Sequence, residues 1–192
     1  MYGHHVWLAK TFIIYRDVYE MNIFSKKALI SVFAIGTIVF SIGLSHAQVA
    51  NTPENRDYKV AAGLYAEGRY EMALKELERF IVKYPSSSNA VLARFLIAGS
   101  NFYLQKFQST IDMAARIRKE SPSSPIIDKV LFLEGRALFQ LEKHKEAVDI
   151  LEQIIAKYPE SVHIPESLYN IGDAYYNMNN YKLAAENYRK VA

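Results

Sequence analysis

Eight aromatic side chains at regular spacing are the residues of this sequence best suited to binding. They form two sets of four, and each member of the second set follows a member of the first by seven residues. The first set is Tyr58, Phe95, Phe132 and Tyr169, and the second is Tyr65, Phe102, Phe139 and Tyr176. A separation of seven residues places both members of a pair on one helix face, two turns apart. Because these rings offer large apolar area, with a polar group in tyrosine, they favour an extended peptide or an amphipathic helix as ligand.

The same aromatic stripe has a second interpretation, in which the rings fill the inner wall of a helical array and bind nothing. An aromatic stripe at helical spacing is a usual feature of a packed core. Arg136, Asp173 and Asn177 lie close to the stripe in sequence. They are candidates for recognising the backbone or charge of a partner, or they form a solvated rim, where charges contribute little.

Residues for catalysis or metal binding are scarce in this chain. Beyond residue 47 the only histidines are His144 and His163, whereas a zinc site needs three or four converging ligands. The sequence has no cysteine, so it has no disulfide, no thiolate ligand and no thiol nucleophile. We find no Ser-His-Asp arrangement, Gly-rich phosphate loop or paired-carboxylate cleft. The sequence therefore predicts a protein that is not an enzyme and has no cofactor and no metal.

The elements that position the stripe recur every 37 residues. Three residue classes follow this step independently: an aromatic or imidazole anchor, a small residue three positions later, and a closing proline. The anchors are Tyr70, Phe107, His144 and Tyr181, the small residues are Ala73, Thr110, Ala147 and Ala184, and the prolines are Pro85, Pro122 and Pro159. A fixed period of this length indicates stacked helix pairs that share a continuous core.

The period predicts four repeats at residues 54–90, 91–127, 128–164 and 165–192, each with a helix A followed by a helix B. In the first repeat we expect helix A at 54–66, a turn at Gly68 and helix B at 70–83, which ends before Pro85. In the fourth, we expect helix B over 181–192 and no closing proline. The sequence is therefore expected to be a fragment, or else a partner covers this end.

This pattern resembles the tetratricopeptide repeat, a helix-turn-helix unit with a glycine, an aromatic residue, small residues and a proline at fixed offsets. Gly135 and Gly172 match the helix A glycine, and Ala147 and Ala184 match the first small residue of helix B. Departures from the common repeat are Ala61, Ala98, Thr110, Phe80, Ile117, Ile154 and Val191. The resemblance implies an all-α, right-handed α-solenoid whose concave face is lined by the A helices. It also implies that ligands are held at the positions of the eight aromatics.

The bulky residues of helix B and the Pro-x-Ser closure are similar to those of the bacterial envelope variety of this repeat. That variety includes the coordinator of the Tol-Pal system and the lipoprotein of the outer-membrane assembly machine, although the missing cysteine departs from the lipoprotein. The resemblance implies an exported, non-catalytic scaffold for protein-protein interaction in the cell envelope, with a role in Tol-Pal and cell division or in outer-membrane assembly. The alternative is a docking or regulatory arm of a larger envelope enzyme, with its catalytic domain beyond residue 192.

The first part of the chain predicts export. Residues 1–20 have no strong pattern and are interpreted as a spurious extension before the true start at Met21. Residues 21–47 read as a signal peptide, with Lys26 and Lys27, an apolar run over 28–44 and cleavage after Ala47. The alternative is an inner-membrane anchor formed by residues 28–44. In both cases the repeats, after a linker at 48–53, are expected outside the cytoplasm, in the periplasm.

Charge says little about the partner. The whole chain has 23 Lys and Arg against 20 Asp and Glu, and its net charge is +3. Nucleic-acid binders usually carry a clustered basic face, which this sequence lacks. We therefore expect an envelope protein or peptide as partner and no nucleic acid, while the sequence leaves the oligomeric state open.

Overall fold

The computed structural model describes residues 52–191, and within this range the ordered elements are eight α-helices and no β-strand. The helices are α1 Pro53–Ala66, α2 Tyr70–Lys83, α3 Ala90–Tyr103, α4 Phe107–Glu120, α5 Ile127–Gln140, α6 His144–Lys157, α7 Ile164–Asn177 and α8 Tyr181–Arg189. None of the helices in 52–191 is long and apolar enough to cross a membrane. The predicted extension, signal peptide or anchor, and most of the linker lie outside the described residues.

The helices form four consecutive pairs, which we call repeats 1 to 4: α1 with α2, α3 with α4, α5 with α6, and α7 with α8. The first helix of each pair is its A helix and the second is its B helix. Every A helix begins 37 residues after the previous A helix, and the B helices follow the same step. The last B helix is shorter than predicted, because α8 ends at Arg189 and Lys190 and Val191 form a turn.

Each A helix is followed by a residue in the left-handed conformation, with φ of 73° at Gly68, 59° at Gln105, 61° at Glu142 and 57° at Asn179. This conformation closes a helix because it turns the chain back onto the free carbonyl groups of the last turn. The amide of Lys143 donates to the carbonyl of Leu138 at 3.0 Å, and the other three turns have the same hydrogen bond. The turn therefore fixes the angle at which each B helix returns.

A proline directly follows the last residue of each of the first three B helices and its cap. Tyr84, Ser121 and Tyr158 are the C-caps, and Pro85, Pro122 and Pro159 come next. Proline cannot continue a helix, because it lacks the amide hydrogen and clashes with the preceding turn. In repeats 1 and 3 a serine of the same turn, Ser87 or Ser161, donates to a carboxylate at the start of its own A helix, Glu54 or Asp128.

The repeats pack as a continuous stack, since each helix contacts the next along the chain. In addition, each A helix contacts the A helix of the following repeat. The A helices therefore form one shared surface, which we call the A-face. The core between the two helix layers is apolar, and its largest fully buried side chains include Phe80, Leu77, Ile117, Leu131, Leu151, Ile154 and Ile171. Burial of each such side chain contributes about 1.5–3 kcal/mol.

Small residues of the A helices are matched to the side chain that the B helix places above them. In repeat 3, a Cβ atom at Gly135 would lie 2.5 Å from Cγ of Leu151, and Gly172 is similarly covered by the ring of Tyr188. In repeat 2 the equivalent positions hold Ala98 and Ala114, so that a small B-helix residue leaves room for the methyl group. In repeat 1 the same positions hold Ala61 and Leu77, both fully buried, so each repeat fits its A helix to its B helix with its own pair of residues.

Candidate partner-binding face

The second set of stripe aromatics packs across the turn inside each repeat. Each ring contacts the anchor five residues later, with ring centroids 5.5 Å apart for Tyr65 and Tyr70 and 5.1 Å apart for Phe139 and His144. The pairs Phe102–Phe107 and Tyr176–Tyr181 repeat this contact at 5.5 and 5.4 Å. Burial raises the pKa of Tyr65 to about 12. These rings close the turns, which is a structural role that every repeat shares.

The first set lies nearer the N-terminal ends of the A helices, and three of its four rings are buried or partly buried. The ring of Tyr58 packs on Phe80, with centroids 5.6 Å apart, and burial raises the pKa of Tyr58. Phe95 packs against the apolar core, and Phe132 is only 9% exposed. The ring of Phe132 stacks on the imidazole of His163, at 4.7 Å between centroids. In repeats 1 to 3 the stripe is therefore largely packing.

Repeat 4 is different, because its two stripe residues are open to solvent. Tyr169 is 54% exposed and Tyr176 is 59% exposed, whereas the equivalent Phe102 and Phe132 are 8% and 9% exposed. The covered positions of repeats 2 and 3 hold phenylalanine, and the exposed positions of repeat 4 hold tyrosine. Repeat 1 also holds tyrosine at these positions, where Tyr58 and Tyr65 are partly buried, so the exposure in repeat 4 depends on the neighbouring residues and not on the residue type.

Arg136 lies on the A-face between two aromatic rings. Its guanidinium carbon is 4.7 Å from the ring centroid of Phe102 and 5.7 Å from that of Phe132. None of the ion pairs formed within residues 52–191 uses Arg136. The rings hold the planar group in place, and no carboxylate of residues 52–191 lies within ion-pair distance of it, so it can receive an anion.

A groove on the A-face joins Arg136 to the exposed end of the stripe. It has a volume of about 320 Å³ and runs between α5 and α7. Phe132 and Arg136 form one wall, and Glu166, Tyr169 and Asn170 form the other. Its lining combines two aromatic rings with a guanidinium, an amide and a carboxylate. Such a groove can bury an apolar side chain and fix its orientation through a few polar contacts.

Asp173 and Asn177, the other predicted polar residues, are engaged within repeat 4. The hydroxyl of Tyr188 donates to Asp173 Oδ1 at 2.6 Å, and burial together with this bond raises the pKa of Tyr188 to about 12. The amide of Asn177 donates to the carbonyl oxygen of Asp173 at 2.8 Å. Asp173 therefore helps to fix α8 against α7, and neither residue lines the groove beside Arg136.

Glu166 and Asn170 complete the groove and are not among the residues that the sequence predicts. The missed signal is helical spacing, because Glu166 and Asn170 are four residues apart and flank Tyr169 on α7. No group of three or more His, Asp or Glu side chains within residues 52–191 is arranged to hold a metal ion. What the face offers chemically is shape, aromatic area and hydrogen bonding.

Solved structures share this fold. MamA from Desulfovibrio magneticus RS-1, residues 41 to the end, superimposes with a TM-score of 0.63 at 15% identity, covering 76% of this chain and 77% of that chain. A crystal structure of MamA gives a TM-score of 0.62 at 20% identity and covers 89% of this chain and 93% of that chain. MamA of MSR-1 gives 0.60 at 17% identity, with 73% and 75% covered. At these identities the likeness concerns the fold alone.

The sequence itself matches family profiles described as tetratricopeptide repeat. One profile matches residues 57–87 and 129–161, which cover most of repeats 1 and 3, and a second matches residues 165–192. No curated protein matches the sequence. Repeat 2 lies outside the matched segments, yet its two helices have the same lengths as those of repeats 1 and 3. The predicted repeat type is confirmed for these segments, which are tetratricopeptide repeats.

Proposed function

We propose that this protein is an exported, non-catalytic scaffold that binds a segment of another envelope protein in the groove between α5 and α7. The tetratricopeptide repeats make it a protein-interaction scaffold, and the site, the partner and the location are the proposed part. The observation that carries the site is Arg136, held between Phe102 and Phe132 with no carboxylate partner in residues 52–191, beside the open ring of Tyr169.

The groove fits a segment with an acidic group next to an aromatic or aliphatic side chain. The acidic group accepts hydrogen bonds from Arg136, since a guanidinium matches a carboxylate with two parallel bonds. The apolar side chain lies on the exposed ring of Tyr169, and Asn170 can bond the partner backbone. Glu166, on the opposite wall, repels acidic groups, so the groove favours an acid only on the side of Arg136.

Location in the envelope is supported by the N-terminal sequence, with Lys26 and Lys27 ahead of the apolar run and Ser45-His46-Ala47 after it. A role in Tol-Pal function and cell division, or in outer-membrane assembly, follows from the sequence resemblance to the envelope variety of the repeat. Mass spectrometry of the chain that its host accumulates tests export. An N-terminus at Gln48 is the expected result, and a chain that starts at Met1 or Met21 in the cytosol contradicts it.

Photo-crosslinking in the native host tests the groove. A photoreactive phenylalanine analogue replaces Tyr169, which is 54% exposed at the groove, and Val82 on α2, which is 82% exposed, is the control position. We expect one discrete partner band from Tyr169 and none of that mass from Val82. The same band from both positions, or bands only within the chain itself, would exclude the groove.

The variant Arg136→Gln tests the acidic contact in the same assay. A hydrogen bond to a charged group contributes about 1.5–3 kcal/mol, so we expect roughly a 10- to 100-fold loss of the partner band. The control is Arg79→Gln on α2, an exposed arginine that pairs with Glu76 of its own helix. Equal labelling in Arg136→Gln and the unmodified chain, with both proteins folded, would show that the partner does not use this residue.

A further inference from the structure

The contact between repeats 2 and 3 contains a buried ion pair. Arg118 of α4 donates from a terminal nitrogen to Glu134 Oε1 of α5 at 2.8 Å. Glu134 is 3% exposed, and the side chain of Arg118 is 31% exposed. Neither Arg118 Nε nor Glu134 Oε2 has a hydrogen-bond partner within residues 52–191. The pair is thus desolvated on its inner side and incompletely bonded.

The other two contacts between repeats are apolar at the same two positions. The residues 37 positions away from Arg118 are Ile81 and Ile155, and those 37 away from Glu134 are Ile97 and Ile171. Ile81 and Ile97 belong to one apolar cluster, and Ile155 and Ile171 belong to another. The ion pair therefore replaces an isoleucine pair at the middle contact of the stack, within a fold that accepts isoleucine there.

Such a replacement is not explained by stability. A buried ion pair is often no better than apolar residues of similar volume, because desolvation offsets the attraction, while a lone buried charge is strongly unfavourable. The ion pair does affect the stability of incorrect pairings between helices. If α4 packed on α3 or α7 of another copy, Arg118 would face Ile97 or Ile171. If α5 packed on α2 or α6, Glu134 would face Ile81 or Ile155, again unpaired.

We propose that Arg118 and Glu134 form a register lock, which makes α4 and α5 accept each other and reject every other repeat of this chain or of a second copy. The repeats have the same length and similar apolar faces, so an all-isoleucine stack would leave several contacts nearly equivalent in energy. One charge pair in the middle removes that equivalence by penalising each mismatched contact. In coiled coils, a buried polar residue at one core position is a known means of fixing register.

The test compares Arg118→Ile/Glu134→Ile with the unmodified protein and with the reversed pair Arg118→Glu/Glu134→Arg. Each chain, with its own N-terminal segment, is unfolded in urea, refolded at high concentration and examined by size-exclusion chromatography with light scattering and by native mass spectrometry. The species present before unfolding are the reference. The unmodified protein and the reversed pair are expected to return to that reference, since the two exchanged charges would also match only each other.

The double isoleucine chain is expected to melt higher, by roughly 2 to 8 °C, yet to refold into additional oligomers at several times the level of the unmodified chain. If it refolds to the reference species alone, the lock is excluded. The lock is also excluded if the reversed pair gives as many additional species as the double isoleucine chain. Should the isoleucine pair not fold, Arg118→Met/Glu134→Leu, which follows the original side-chain shapes more closely, replaces it under the same criteria.

Discussion

Leu151 of α6 lies directly above Gly135 of α5, so closely that a Cβ atom on the glycine would be 2.5 Å from both Cγ and Cδ2 of the leucine. Both residues are buried. We expect Gly135→Ala to lower the free energy of unfolding by about 1–3 kcal/mol, because the added methyl group has no space. Urea denaturation measures the loss. An unchanged midpoint would show that Leu151 or the helices shift to accept the methyl group at no cost in stability.

The same two positions hold Ala98 and Ala114 in repeat 2 and Ala61 and Leu77 in repeat 1, so a double change tests whether the pair in repeat 3 acts as one unit. Leu151→Ala alone is expected to cost about 2–5 kcal/mol through the cavity that it leaves. Combined with Gly135→Ala it should cost clearly less than the sum of the two single changes, because the methyl group then fills part of the cavity. A strictly additive double-mutant cycle would contradict the contact.

The residues with positive φ after the A helices predict opposite effects on stability for two substitutions, Gly68→Ala and Glu142→Gly. Gly68 has a φ of 73°, and Gly68→Ala should lower stability by about 1 kcal/mol, since a Cβ atom disfavours this conformation. Glu142 has a φ of 61° with a side chain, and Glu142→Gly should be neutral or stabilising by up to about 1 kcal/mol. Thermal melting followed by circular dichroism measures both changes. Destabilisation by Glu142→Gly would contradict the argument.

Glu134 predicts a pH effect of unusual direction for a carboxylate. Burial raises its pKa above the ordinary value, although Arg118 opposes this shift. A raised pKa means that the folded protein holds this proton more tightly than the unfolded chain. The stability contributed by protonation is therefore fully present below the unfolded pKa and is lost as pH rises through the folded pKa.

The comparison with Glu134→Gln isolates that contribution, because Asp57 and Glu120 have lowered pKa values and act in the opposite direction. From neutral pH down towards 4.5, the unmodified protein should gain stability relative to the glutamine variant. The free energy of unfolding of both proteins, measured by urea at several pH values, gives this difference. A difference that stays constant with pH would show that folding leaves the pKa of Glu134 unshifted, which contradicts the raised value.

Ala147 on α6 is fully buried, while Ala156 on the same helix is exposed. We expect Ala147→Arg to unfold the array, because the substitution buries an unpaired charge in a close contact between helices. Ala156→Arg adds the same charge to the same helix and should leave helicity and melting unchanged. Circular dichroism decides between them, and a normal melting curve for Ala147→Arg would refute the packing.

Much of the fold follows from turn chemistry that the sequence displays. Pro85, Pro122 and Pro159 fix the ends of three B helices, and Gly68 marks the first A-B turn. Gln105 and Glu142 adopt the same left-handed turn without any residue preference for it, so only the 37-residue step predicts those turns. The turn-forming residues and the 37-residue period together therefore predict where the helices lie.

The candidate site was predicted less completely, because the eight aromatics look alike in sequence and differ in burial. Phe132 and Tyr169 occupy the same position of successive repeats, yet one stacks on His163 and the other is open to solvent. That difference depends on the neighbouring repeat, which a single repeat does not encode. In the sequence, Arg118 and Glu134 likewise resemble ordinary surface charges. Only an alignment of the repeats shows that Glu134 occupies the position held by Ile97 and Ile171 in the neighbouring repeats.

The charge pair between α4 and α5 also limits how the number of repeats can change during evolution. A change by one whole repeat would remove or add 37 residues. Loss of repeat 2 alone would place Ile81 against Glu134, and loss of repeat 3 alone would place Arg118 against Ile171. Loss or duplication of both together leaves every contact matched, isoleucine with isoleucine or arginine with glutamate. Repeats 2 and 3 are thus expected to be inherited as one unit, which makes a helix quartet the heritable module of this array.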